Sequence, residues 1–240
     1  MSQPKLKPHN TIVMLLAIDT STELTGLACY DTVGVLGECV WHSGRNHTAQ
    51  LLPQLTLLLR HLGRGRDEIS AVGVALGPGS WSGLRVGLST AKGLALAHNL
   101  PIIGVGALDV LAYQHACADL PVVPIIRLGR ERFAIARADD PPNSTQRLVA
   151  HNVTLAELCA AIGERTLFCG DIDADVQAKL RAALGDRAVF PGPAANVRRP
   201  GYLAELAWHR LQAGALDNLA TLEPIYLGQP VKPKVSATQP

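Results

Sequence analysis

The sequence predicts an α/β protein, and three observations carry the prediction. Three short apolar segments follow one another near the start, separated only by turn residues. At residue 51 the hydrophobic period changes from that of a strand to that of a helix. From residue 71 onward apolar segments alternate with helical ones, the strand-loop-helix order of an α/β layer.

Residues 12–18 are continuously apolar and read as a buried strand. Segments 24–30 and 33–41 follow across turns at Asp31 and Gly34, so the three form a meander. Leu51, Leu52, Leu55, Leu58, Leu59 and Leu62 then recur with the spacing of one helix face; Gly63 and Gly65 end that helix, and Pro53 removes one backbone bond near its start. A strand at 71–76 runs into Gly77-Pro78-Gly79-Ser80-Trp81-Ser82-Gly83, which opens a second helix reaching His98 and closed by Asn99 and Pro101. Gly83, Gly87, Ala91 and Ala95 recur every four residues along it, a stripe narrow enough for another helix to approach. A strand at 102–105 and a helix at 107–117 come next.

The second half begins with strands at 122–126 and 132–138 about a turn at Gly129. Asp139-Asp140-Pro141-Pro142-Asn143 is a strong turn before a strand at 146–150. Thr154 with Glu157 three residues on is a capping box, which starts a helix at 155–162. A strand at 167–169, a helix at 174–184, a strand at 187–190 and a helix at 202–212 complete the chain. Residues 1–10 and 229–240 are polar and Pro-bearing and read as frayed tails.

Composition excludes several functions. Twenty-two Lys and Arg against 20 Asp and Glu leave a net charge of +2, so no field of the whole molecule draws it to nucleic acid or acidic lipid. Aromatic residues make up only 4%, too few for a surface that stacks single-stranded bases. The five cysteines show no CxxC pair or zinc spacing and read as buried, reduced thiols. Residues 12–18 are too few to cross a bilayer, and a cytoplasmic protein without a membrane contact is expected.

Two loops could hold phosphate. Asp19, Thr20, Ser21 and Thr22 lie between two strands, where the plainer reading is a hydrogen-bonded turn. Gly77, Gly79 and Ser80 precede a helix start, which attracts anions, yet Leu84 and Arg85 stand where a P-loop needs Lys and a hydroxyl. The plainer reading is a sharp turn from strand to helix. His47 has Leu51 rather than His four residues on, so it reads as a packing residue and not a metal ligand. Arg127, Arg130, Arg132 and Arg137 could meet RNA; a solvated hairpin partly neutralised by Glu131 is the simpler account. No G-x-S-x-G elbow surrounds Ser80, Ser82 or Ser89.

Together, Ala17-Ile18-Asp19-Thr20-Ser21, His47-Thr48-Ala49-Gln50-Leu51-Leu52-Pro53 and the block from Gly77 through Gly87 resemble the TsaB (YeaZ) family. Pro101-Ile102-Ile103-Gly104-Val105 and Glu223-Pro224-Ile225-Tyr226-Leu227 match it in the same order. The resemblance implies an actin-like ATPase (ribonuclease H-like) fold of two lobes, each a mixed sheet flanked by helices, with a reduced second lobe. Residues 11–108 and 109–228 are the expected lobes.

It also implies a non-catalytic partner that activates the TsaD transferase in forming N6-threonylcarbamoyladenosine beside the tRNA anticodon. The ATPase TsaE joins the assembly, tRNA is met only indirectly, and no cofactor or metal is expected. In the family the first two helices of the first lobe pair with TsaD or, alternatively, with a second copy. Carried onto this chain, that surface would use Leu51, Leu55, Leu58, Leu62, Arg85, Gly87 and Ala91. Asp19, Thr20, Ser21, Gly77, Gly79 and Ser80 would be vestigial nucleotide loops. Many relatives read Ile-Asp-Ala-Gly-Arg-Gly-Arg where this chain has Arg127 in place of the Asp, which removes an acidic group there. The competing reading is a stand-alone ATP-binding ATPase or kinase of the same superfold; a glycoprotease finds neither a metal pair nor a nucleophile with its base.

Overall fold

The computed structural model describes residues 14–44, 46–129, 131–138 and 147–227. The expected tails, the turn at 139–143 and Arg130 lie outside the described residues. Ten strands and six helices form two five-stranded sheets among them. In the first sheet β1 (Met14–Asp19), β2 (Leu24–Asp31) and β3 (Gly34–His42) form the antiparallel meander, and β4 (Ile69–Gly77) and β5 (Ile102–Gly106) run parallel to β1. The spatial order is β3-β2-β1-β4-β5.

The continuous apolar run in β1 arises because helices cover both faces of this sheet. Met14, Leu16 and Ile18 point to one core, which they share with Leu51 and Leu55 of α1 (His47–Leu62) and Leu88 and Ala91 of α2 (Trp81–His98). Leu15 and Ala17 point to the other, against Val110 of α3 (Ala107–Gln114) and Leu203 and Leu206 of α6 (Pro200–Gln212). A division at residue 108 would assign α6 to the second lobe. The structure returns it to the first sheet, and Ile225 follows by donating its N–H to the Leu76 carbonyl at 2.7 Å. A sheet covered on one face only would leave Leu15 and Ala17 in water, and α6 supplies the missing cover.

The second sheet has the order β10-β9-β6-β7-β8, from β6 (Val122–Arg127), β7 (Phe133–Ile135), β8 (His151–Val153), β9 (Thr166–Gly170) and β10 (Ala188–Val189). Its outer face packs on α4 (Leu155–Ala161) and α5 (Ala174–Leu184) through Leu158, Val176 and Leu180. Its inner face packs on Leu108 and Leu111 of α3. Helix α3 therefore serves both sheets, which is why its residues 107–112 are all buried.

The capping box forms as expected, with Thr154 Oγ1 accepting from the Glu157 N–H and the Glu157 carboxylate accepting from the Thr154 N–H at 2.7 Å. The strand expected at 146–150 is displaced to His151–Val153. Residues 147–150 are irregular because the Leu148 N–H donates to the buried Asp109 carboxylate at 2.9 Å instead of to a strand. All five cysteines are free, but Cys117 is exposed, because the chain beyond Gln114 leaves the helix expected to reach it. Burial pushes the thiols of Cys29 and Cys169 up to about 12.

Candidate functional site

The end of β1 and the start of α2 come together at the junction of the lobes. Asp19 Oδ1 accepts from the Ser21 N–H at 2.9 Å and from the Ser21 hydroxyl at 2.5 Å, a closed Asx turn. The next loop seats directly on it: the Ser80 N–H donates to the Ser21 carbonyl at 2.7 Å, and the Thr20 hydroxyl donates to the Gly83 carbonyl at 2.7 Å. Ser80 also caps α2 by accepting from the Gly83 N–H.

Glycine is required by this approach rather than by backbone angle. A Cβ at Gly79 would lie 2.2 Å from the Ser21 carbonyl oxygen, one at Gly83 2.0 Å from that of Thr20, and one at Gly87 2.3 Å from Thr20 Oγ1. The stripe of small residues along α2 thus admits a strand end and its loop, where the spacing suggested a second helix. Gly87 and Ala91 belong to this core and are not available to a partner.

A residue that no local signal indicated completes the cluster. Arg198, just before α6, is buried; its Nη1 donates to Ser21 Oγ at 2.5 Å and lies 3.5 Å from Asp19 Oδ2. Its Nε has no partner among the described residues. A guanidinium from the same chain therefore answers the charge of Asp19, and the polar groups of both candidate phosphate loops bond largely to one another. Of the residues expected as nucleotide loops, Asp19 bonds to Ser21, Ser80 to Ser21 and Thr20 to Gly83, and Gly79 packs on the Ser21 carbonyl just after Gly77; Ser21, Gly79 and Ser80 also line the cleft described below.

His47 lies close by, buried, with Nδ1 2.7 Å from Thr25 Oγ1 and 2.9 Å from Ser43 Oγ. Burial lowers its pKa and the charge of Asp19 opposes this, so the ring packs as a neutral hydrogen-bonding group. No group of three or more His, Cys, Asp or Glu side chains able to hold a metal occurs among the described residues.

Beside the cluster a cleft of about 1180 Å³ opens between the lobes. Thr22 and Ser80 line it from the first lobe, Ile126, Arg127 and Asp171 from the second, and Tyr226 from the final segment. Arg127 is drawn to Asp173 at 2.6 Å and lies over the Phe133 ring. The arginine hairpin is likewise tied by carboxylates, Arg132 to Glu157 at 3.2 Å and Arg137 to Glu164 at 2.6 Å. At the rim the exposed Trp81 stacks on Tyr226 with ring centroids 4.1 Å apart, and the Arg85 guanidinium lies 4.2 Å from the Trp81 ring centre.

A second surface lies on the outside of the first lobe, where α1 and α2 flank each other about a cavity of about 30 Å³ lined by Leu52, Leu55, Leu94 and His98. The structure corrects most of the residues expected to face a partner there. Leu51, Leu55 and Leu58 are buried in the lobe's own core, and Leu62 is half-buried against it. A five-stranded sheet needs that stripe as its cover. The residues left outside are Leu52 at 50%, Leu57 at 44% and Leu96 at 74% exposure, together with Arg85. No helix of the described residues is long and apolar enough to cross a membrane.

Two mixed sheets sharing a central helix, a cleft between them and paired loops at its edge define a protein of the actin-like ATPase fold. The family of tRNA N6-adenosine threonylcarbamoyltransferase (TsaD) matches residues 39–230. The chain is 29% identical over 196 residues to the tRNA threonylcarbamoyladenosine biosynthesis protein TsaB of Bacillus subtilis, covering 80% of this chain and 86% of that one. It is 38% identical over 98 residues to TsaB of Escherichia coli, covering 41% and 42%. The structure of YeaZ from Pseudomonas aeruginosa superposes with a TM-score of 0.73 at 20% identity, covering 89% and 99%. The chain belongs to the TsaB (YeaZ) family.

Proposed function

We propose that the chain is a non-catalytic subunit that docks on a TsaD-family transferase and activates formation of N6-threonylcarbamoyladenosine beside the tRNA anticodon. The observation that carries this reading is that helices α1 and α2 keep Leu52, Leu57 and Leu96 in water after the lobe's own core is complete. The loop cluster supports it from the other side, because groups that a catalyst would offer to a nucleotide are spent on one another and on Arg198. In this reading a TsaE-like ATPase joins the assembly and tRNA is reached through the transferase.

The test mixes the chain with the TsaD-family protein of the same organism and measures the mass of the complex and the modified nucleoside in digested tRNA. A heterodimer and a rise in modification are expected. Absence of both rejects the reading. The cleft between the lobes favours one competitor, a stand-alone ATP-binding ATPase or kinase, since it is large enough for a nucleotide. That alternative requires heat of Mg-ATP binding and turnover by the isolated chain, and neither is expected.

A further inference from the structure

On the face of the first sheet opposite α1 and α2, aromatic side chains gather around one carboxylate. Tyr202, Glu205 and Trp208 stand three residues apart on α6 and so share one side of it. Tyr30, near the end of β2, lies against Trp208 with ring centroids 5.7 Å apart, and Tyr113, near the end of α3, meets Tyr202 edge-on at 6.1 Å. Three of the chain's four tyrosines are thus drawn to one place, although aromatic residues are scarce in the sequence. All three are half-buried, as is Glu205, and Trp208 is buried.

Glu205 differs from the other carboxylates in its bonding. Among the described residues, every other Asp or Glu that is not exposed takes an ion pair or a backbone N–H. Asp217 has Arg210 at 3.3 Å, Glu38 has Arg199, and Asp31 accepts from the Val33 N–H at 2.7 Å; Asp19, Glu68, Asp109 and Asp171 are served in the same ways. Glu205 takes neither, and its neighbours are tyrosine hydroxyls. Burial first, and then the charge of Glu205, push the Tyr113 hydroxyl up to about 12, and the same causes raise Tyr30, with Asp31 adding to them. The other charges nearby leave Glu205 unanswered. Asp31 is itself negative, Arg199 is held by Glu38, and the exposed His209 one turn along α6 forms no ion pair with it among the described residues.

We propose that this cluster receives the guanidinium of an arginine side chain presented by a protein partner, with Glu205 as its counter-charge and the tyrosine rings as its walls. A half-buried carboxylate gains most from a cation that also donates hydrogen bonds, and a planar guanidinium both pairs with a carboxylate and stacks on rings, which an ammonium does less well. The chain already contains the arrangement on a small scale: Arg199 bonds to Glu38 while its guanidinium lies 5.9 Å from the centre of the Tyr202 ring. Half-exposed rings would leave much of a free small cation in water, whereas a side chain carried by a protein brings the rest of an interface with it. Nucleic acid is disfavoured, because Glu205 and Asp31 would repel its phosphates. The proposal is independent of how α1 and α2 are used, since α3 and α6 cover the other side of the sheet.

The test titrates the ¹⁵N-labelled full chain with the capped peptide Gly-Arg-Gly, with the same peptide carrying neutral citrulline in place of Arg, and with choline, and follows the backbone amides of Tyr113 and Glu205 by NMR. Saturable shifts with the arginine peptide at millimolar concentration are expected, with none from the citrulline peptide. Glu205→Gln, which keeps the shape of the side chain, should weaken the arginine peptide by about tenfold, and Tyr202→Leu should weaken it severalfold. The spectrum of each variant also shows whether the fold is kept. Absence of a saturable shift overturns the proposal, as does equal binding of arginine and citrulline peptides or undiminished binding by Glu205→Gln. Choline binding more tightly than the arginine peptide overturns the assignment to a protein side chain in favour of a small organic cation.

Discussion

Replacing Gly83 by Ala tests the loop interlock directly. The new methyl would start 2.0 Å from the Thr20 carbonyl oxygen, whereas carbon and oxygen rest at about 3.3 Å or more, so one loop must withdraw by over an ångström. Backbone lies on the far side of the contact, and no rotamer relieves it. Withdrawal stretches two bonds that are 2.7 Å long, from the Thr20 hydroxyl to Gly83 and from the Ser80 N–H to Ser21, each contributing about 1 kcal/mol. Strain from overpacking adds about 1–3 kcal/mol, and the better helix propensity of Ala returns at most about 1 kcal/mol. The net loss is about 2–4 kcal/mol.

Gly93 on the same helix meets nothing within 4 Å, so Gly93→Ala should stabilise by about 0.5–1 kcal/mol. Urea unfolding monitored by circular dichroism measures both. In thermal melts each kcal/mol corresponds to about 2–4 °C for a chain of this size. If Gly83→Ala matched or exceeded wild-type stability, the close approach of the loops would be refuted. If Gly87→Leu left stability intact and abolished partner binding, the small-residue stripe would be interface after all.

Other expectations concern the polar cluster, the thiols and the outer face. Arg198→Ala strands a buried carboxylate and should cost about 3–5 kcal/mol, which Asp19→Asn in the same chain should partly restore; an additive double mutant would disprove the pairing. Burial lowers the pKa of His47, so the unfolded chain takes up a proton that the folded one refuses. Its contribution is present above the ordinary value of 6.5 and is lost as pH falls below it, and His47→Gln should flatten the decline in stability between pH 7 and 5. Equal slopes would remove that assignment. Native thiol labelling should modify the exposed Cys117 quickly and spare Cys29 and Cys169, and rapid labelling of the latter two would contradict their burial. Leu96→Glu should leave the melting temperature within a few degrees of wild type while weakening transferase binding, since a Leu buried on docking contributes about 1.5–3 kcal/mol.

Much of the architecture was legible because local chemistry dictated it. The run ending at Ile18 had to be a strand covered on both faces, Thr154 and Glu157 announced α4, and Gly63 and Asn99 end their helices in left-handed conformations with φ of 63° and 52°. The site was harder to read. Leucine spacing showed that α1 has an apolar face, but that face is used up by the sheet, and the leucine most relevant to a partner on α2, Leu96, stands outside any periodic stripe. The interval of four in α2 was real, yet it equally suits a helix or a loop as neighbour, and the loop after β1 is the one present.

By itself, the order of residues determined the alternation of strands and helices, the two phosphate-type loops and the family, all of which depend on neighbours a few positions apart. Only the tertiary structure decided that α6 returns to the first sheet, that Arg198 meets Ser21 across 177 residues, and which side of α1 and α2 remains in water. Periodicity reports that a side chain seeks burial but not against what. The partner in space is chosen by sheet topology and by the need to cover both faces of each sheet.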